Sequence, residues 1–249
     1  MKNKYYIATL SATVLTCAMA HAGDTLATAP TASSSTAAEI SPYLGVSGVY
    51  NEWSLPALLG GSENTTGYKV EGGVALSHGF SINGSFEETF GTVDVAGLLS
   101  ADFSFTDTRV LVNYTHELEQ GFSLVGGLGY GYLGLDLQGI TASSEGLLAE
   151  AGIKYRSGQF FGGLTYNHLF SMHTSSVLNL ADALIGAIAP PGALPSLAVP
   201  GEDVGAIEAY VGYQFNENVA ATLSVETQVV GDSALEKDLG IALGLQYSF

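Results

Sequence analysis

Two imidazoles and a hydroxyl fall within seven residues in Asn167-His168-Leu169-Phe170-Ser171-Met172-His173. These are residue types from which a general base and a nucleophile are made. A carboxylate to orient the base would have to come from elsewhere, from Asp94 or Asp102. The spacing matches no nucleophile–base–carboxylate motif, and a lone histidine where a strand meets a loop is ordinarily an interfacial polar residue. His78 and His116 fall at expected short turns and read as structural. Asp94, Asp102, Asp136, Glu202 and Asp203 lack the spacing of a calcium loop. Gly126-Gly127-Leu128-Gly129 lies inside an alternating apolar segment, where small residues serve packing rather than phosphate binding. No catalytic residue, metal or other cofactor is expected.

A second set of residues has clearer chemistry. Lys69, Glu71, Glu87, Arg109, Glu150, Lys154, Glu208 and Glu226 interrupt apolar alternations, each on the minor, small-residue face. Charges on such a face must be paired if it turns inward, because an unpaired buried charge is strongly disfavoured. Glu87 and Arg109 lie near the same end of consecutive segments, with Lys69 and Glu71 on the segment before. An ion-pair cluster of Lys69, Glu71, Glu87 and Arg109 is therefore predicted, serving as filling or, in a conducting barrel, as a gate.

The elements that must carry these charges repeat every two residues, the signature of strands. At the C-terminus Leu239, Ile241, Leu243, Leu245, Tyr247 and Phe249 alternate with Gly240, Ala242, Gly244, Gln246 and Ser248. Nine further segments between residues 43 and 226 alternate in the same way. Short connections are expected near Ser77-His78-Gly79, 117–121, Ser157-Gly158 and Asn216-Glu217-Asn218, and long ones at 51–67, 88–106, 133–146, 169–204 and 229–237. Short turns at one end and long loops at the other is the plan of an outer-membrane barrel. Within the longest loop, 177–188 followed by Pro190-Pro191 suggests a short amphipathic helix ended by proline.

Composition points the same way. Of 249 residues, 47% are hydrophobic and 12% charged, about half the charge of an ordinary soluble domain. Lys and Arg number 7 against 24 Asp and Glu, for a formal net charge of −17. Such a chain repels phosphate backbones, and nucleic-acid binding is excluded on that ground. Lys2 and Lys4, the apolar run Tyr5 to Ala18 and the small-x-small site Ala20-His21-Ala22 make residues 1–22 a secretory signal peptide. The one cysteine, Cys17, lies within it, so a chain cleaved after Ala22 has no thiol. Residues 23–40 are rich in Ala, Ser and Thr and read as a flexible periplasmic linker. Residues 41–249 form the barrel.

The aromatics separate a membrane barrel from a soluble sandwich. On the apolar face, Phe80, Tyr114, Phe122, Tyr155, Phe160, Phe215, Tyr247 and Phe249 fall near the short turns, and Tyr50, Tyr68, Phe86, Tyr130, Tyr132 and Tyr166 near the long loops. Two such girdles suit the two membrane interfaces. Backbone groups cannot stay unpaired in hydrocarbon, so the sheet must close. The fold expected is an all-β, closed antiparallel transmembrane β-barrel of ten strands, with eight as the alternative.

From this alternation, from Gly67-Tyr68-Lys69-Val70-Glu71-Gly72-Gly73 and from the ending Leu245-Gln246-Tyr247-Ser248-Phe249, the chain resembles the small outer-membrane β-barrels. That family includes the OmpA-like transmembrane domain and the opacity-type surface antigens. The resemblance implies a bacterial outer-membrane location and a terminal assembly signal at Tyr247 and Phe249. It implies as partners the outer-membrane lipid, periplasmic chaperones and the barrel-assembly machinery; a surface ligand is not named by it. The function expected is a structural or surface-interaction role with weak pore activity at most. A narrow porin-like channel for small solutes is the alternative, and an outer-membrane hydrolase the third reading.

Overall fold

A computed structural model describes residues 41–54, 62–95, 99–137, 140–175, 203–231 and 236–249. The signal read at 1–22, the linker at 23–40 and the helix at 177–188 lie outside the described residues.

Ten strands run in chain order: β1 (Ser41–Ser54), β2 (Ser62–Ala75), β3 (Phe80–Val95), β4 (Leu99–Glu117), β5 (Phe122–Leu137), β6 (Ile140–Ser157), β7 (Phe160–Ser175), β8 (Val204–Gln214), β9 (Val219–Val230) and β10 (Glu236–Ser248). Each pairs antiparallel with its sequence neighbours, and β1 pairs with β10 to close the barrel. The ten-strand count stands, not the eight-strand alternative. Closure leaves no sheet edge, and Phe249 N donates to Pro42 O at 3.1 Å across the seam.

The turn end is tight. At Ser77–Gly79 and Glu119–Gly121 the second residue, His78 or Gln120, has φ near +60°, and a glycine at φ +81° or +82° follows. A β-carbon on either glycine would collide with a carbonyl of the neighbouring strand, Thr115 or Arg156. Glycine is thus required there on two counts.

Most of the expected long loops are strand. Residues 88–95 continue β3, 99–106 open β4, 133–137 end β5 and 140–146 open β6. The physical reason is a change of phase. Near the turn end the outward residues are apolar: Ile82, Val110, Val112, Leu124, Leu128, Ile153 and Leu164 are all exposed. Toward the loop end the inward residues become apolar: Trp53, Val93, Ala101, Phe103, Phe105, Ala142 and Leu148 are buried. Thr92, Asp102 and Thr141 stand exposed on the outside there. One run of ~9–11 residues crosses a bilayer, and strands of 16–19 residues such as β3 to β6 outrun it. Above that height an antiparallel wall follows the ordinary rule, apolar in and polar out. The inversion cancels the alternation that marks the lower part.

The exposed belt is bordered by aromatics. Across β3/β4, β5/β6 and β7/β8 near the turn end, Phe80–Tyr114, Phe122–Tyr155 and Phe160–Tyr213 stack with centroids 5.1, 4.7 and 5.0 Å apart. All three are directly opposed in register, a placement that adds cross-strand stabilisation of about 0.2–1 kcal/mol each. Toward the loop end Tyr50 and Tyr68 donate to Glu52 (3.0 Å) and Glu88 (2.8 Å) on the outer wall.

Candidate functional site

The barrel interior holds the charge. The five Lys and Arg residues of 41–249 are Lys69, Arg109, Lys154, Arg156 and Lys237. Strand parity puts all five on the inner face, with Lys154 two residues beyond Gly152 and Arg156 bonded to the inward Gln214.

Five ionised side chains on four strands form one network in the loop-side half. Arg109 on β4 donates from Nε to both carboxylate oxygens of Asp107 at 3.0 Å and from Nη1 to Glu226 on β9 at 3.1 Å. Glu226 also accepts from Lys237 on β10 at 3.0 Å. Lys237 reaches Glu87 on β3 at 3.4 Å, and Asn51 on β1 donates to the same carboxylate at 2.9 Å. Lys237 lies over the Trp53 ring, 5.7 Å from its centroid. Two cations thus join three carboxylates across the bore. A second, smaller set lies toward the turn end: Lys69 Nζ is 3.8 Å from both Glu71 and Glu208, and Asn113 donates to Glu150 at 3.0 Å.

All four residues expected to cluster face the interior, but they divide. Lys69 and Glu71 meet, while Glu87 and Arg109 take other partners. In register Glu87 is opposed by Asp107 and Arg109 by Ser85, so Arg109 finds Asp107 on its own strand and Glu87 turns to Lys237. Glu226 and Lys237 link the two. Lys237 fell in a stretch read as loop, 229–237, and Asp107 lay one residue past another, 88–106. Lys237 is hidden further by a register shift between Glu52 and Trp53 against β10. The shift puts residue 237 on the same inner face as the even-numbered Gly240.

Apolar layers flank the network. Val93, Ala101 and Phe103 pack with Leu135; Leu111, Leu148 and Leu169 pack with Leu133 and Val204; Trp53 and Phe105 lie 4.4 Å apart and Trp53 Nε1 donates to Thr65 at 3.0 Å. Ion pairs and apolar layers together narrow this section of the bore to a cavity of about 50 Å³.

The histidine segment does not assemble a hydrolytic site. His168 lies on the outer face, its ring packed on Phe170 at 4.4 Å. Its Nδ1 is 2.7 Å from the Tyr166 hydroxyl, and its Nε2 lies 3.7 Å from Asp203, beyond hydrogen-bond distance. Ser171 turns inward to Ser144, with the two hydroxyls 2.7 Å apart. His173 is exposed and sits opposite Glu145. Asp102 is on the outer wall of β4; of Asp94 only its strand position is described. Among the described residues no three metal-ligating side chains converge. Tyr247 is exposed on β10, its ring 5.0 Å from Phe249.

No protein-family profile and no curated protein sequence matches the chain. Solved structures do. An outer-membrane channel of Pseudomonas putida F1 aligns over 84% of this chain and 95% of its own with 8% identity and a TM-score of 0.50. Ail, the attachment invasion locus protein of Yersinia pestis, aligns over 85% and 99% with 14% identity and a TM-score of 0.41. The outer-membrane protease OmpT of Escherichia coli aligns over 84% and 96% with 12% identity and a TM-score of 0.42. Such identities speak to fold and not to activity. With its closed antiparallel wall, exposed apolar belt and inward charges, the chain has the fold of an outer-membrane β-barrel.

Proposed function

We propose that this protein is exported to the bacterial outer membrane and spans it as a plugged barrel with a structural or surface-interaction role, conducting weakly if at all. The observation that carries this reading is the placement of charge. Every Lys and Arg of 41–249 points inward, while Val46, Val112, Leu128, Leu164, Val211, Leu243 and Leu245 stand exposed. In water that arrangement is unfavourable; in hydrocarbon it is the stable one. The apolar clusters packed around the five-charge network favour a plug over a porin-like path. His168 stands on the outer face with its Nδ1 on the Tyr166 hydroxyl, while Ser171 turns inward to Ser144, so the segment gives no support to a hydrolase.

The terminal aromatic serves assembly in this reading, with periplasmic chaperones and the barrel-assembly machinery as partners. Phe249→Ala is expected to lower the amount of folded barrel in cells several-fold while leaving the stability of barrel refolded in vitro nearly unchanged. Equal losses in both settings would make Phe249 a packing residue only. The central test is reconstitution into planar bilayers. The plugged barrel gives no steps or very small ones; steady steps of porin size would transfer the assignment to a narrow channel.

A further inference from the structure

A chain end frays unless something ties it down, and in a closed barrel the last strand must also find the first. Among the described residues the β9–β10 ladder runs from Glu226 opposite Gly240 to Val219 opposite Tyr247, leaving 227–239 outside it. A connection of that length does not dictate register as a two-residue hairpin turn does. Register matters here, because a slip of one residue exchanges the two faces of a strand. It would turn Ile241, Leu243 and Leu245 into the bore and carry Gln246 toward the lipid.

At the other end of β10 one residue supplies the step that the ladder lacks. Ser248 lies past Val219, where β9 begins. The Ser248 N–H donates to the Asn218 carbonyl at 2.8 Å, and Asn218 Nδ2 donates to the Ser248 carbonyl at 2.8 Å. Asn218 thus takes up both main-chain groups of Ser248 on that side. It is itself held, because Asn216 Oδ1 accepts from the N–H groups of Asn218 and Val219, each at 2.9 Å, as in an Asx turn. On the opposite side Ser248 is in register with Tyr43 of β1, and the Phe249 N–H donates to Pro42 O. The end of β10 is gripped between the β8–β9 turn and the start of β1.

We propose that the Asn216-Glu217-Asn218 turn is a latch: it seats the C-terminal strand in register on β9 and presents its end to β1, so that the seam closes. Pairing strands from the two ends of a chain is slow, because closure entropy is lost before the contacts reward it. A strand end already held in register shortens that search. The latch works through main-chain groups of Ser248 and Phe249, apart from the Phe249 ring that the export reading assigns to assembly. Its two asparagines have opposite tasks. Asn216 accepts hydrogen bonds and Asn218 donates one from its side chain. An ionised carboxylate accepts only, so aspartate can replace the first and not the second.

Trp53, the one tryptophan in the chain, reports closure from the far end of the seam. It lies on β1, is 3% exposed and sits 5.7 Å from the Lys237 amine of β10. The experiment follows Trp53 emission while the full chain refolds in micelles, and then hydrogen exchange at the Ser248 and Phe249 amides. Asn218→Asp is expected to slow the Trp53 phase about fivefold, the worth of one net hydrogen bond, and to speed exchange at both amides. Asn218→Ala removes the donor without adding a charge and is expected to act in the same direction, which keeps the test decisive if the aspartate variant does not fold. Asn216→Asp is expected to change neither reading by more than about twofold. Equal effects of Asn216→Asp and Asn218→Asp would trace the change to added charge and overturn the proposal. Faster exchange with an unchanged Trp53 phase would also overturn it, making Asn218 a local cap without a part in closure. So would an Asn218→Ala barrel that matches the unsubstituted chain in both readings.

Discussion

Lys237 carries more of the interior than any residue the sequence marks out. It touches two carboxylates, Glu226 at 3.0 Å and Glu87 at 3.4 Å, and it is 6% exposed. Replacing it with methionine keeps the stem and leaves both carboxylates short of a cation. Removing one partner of a buried ion pair costs about 3–5 kcal/mol. Lys237→Met is therefore expected to lower the urea midpoint of the refolded barrel by that equivalent, and Lys237→Met with Glu226→Gln to recover part of it. A double-mutant cycle reads the coupling; a coupling indistinguishable from zero would show the pair to be incidental. Arg109→Ala belongs to the same test, because it leaves Asp107 without its cation and Glu226 with Lys237 alone. By contrast, His168→Phe on the outer wall is expected to change the midpoint by less than about 1 kcal/mol, since it exchanges one ring for another beside Phe170. At this scale the sequence showed which face the charges occupy and not whom they meet. Parity along a strand determines the first. The second depends on the register between strands and on bulges, as at Glu52 and Trp53, which no single-strand periodicity records.

Along β4 a single element passes through two solvents. Val110, Val112 and Tyr114 are exposed on its outer face, while farther along the same face Asp102 stands opposite Thr92 of β3. An arginine at Val112 enters the hydrocarbon and is expected to cost about 2–4 kcal/mol. Thr92→Arg, on the same side of the barrel and beside Asp102, is expected to cost less than about 0.5 kcal/mol. Equal costs would mean that the membrane boundary has been drawn at the wrong height. Close approach of β4 and β5 adds a second constraint. A β-carbon at Gly129 would collide with the Val110 carbonyl, so Gly129→Ala forces the backbones apart. The expected loss is about 1–3 kcal/mol, measured by the same unfolding curve, whereas the same change at Gly48 meets nothing. Strand number, faces and girdles were legible because lipid and lumen impose opposite demands on alternate residues. Strand length was not, because beyond the belt the demands reverse. The two halves of β3, ending at Phe90 and Val93 on opposite faces, then read as a broken pattern.

For the molecule as a whole, the consequence of inward cations is an outside without any. Among the described residues the outer wall presents Glu52, Glu88, Asp102, Glu145 and Asp238, and no Lys or Arg stands there to offset them. Long-range electrostatics act on encounter rates rather than on the fold, so the effect belongs to insertion. Before the barrel closes, its acidic chain approaches a bilayer whose surface charge decides the rate. Refolding is therefore expected to be several-fold slower into vesicles rich in anionic phosphatidylglycerol than into zwitterionic vesicles at ~10 mM salt, where the Debye length is about 30 Å. At ~1 M salt the length falls to about 3 Å, and the two rates are expected to converge. The final stability in the two lipids is expected to be similar, because the belt that contacts acyl chains bears no charge near its centre. Rates that differ equally at both salt concentrations would trace the effect to lipid packing instead, and would leave the one-sided outer charge without a part in insertion.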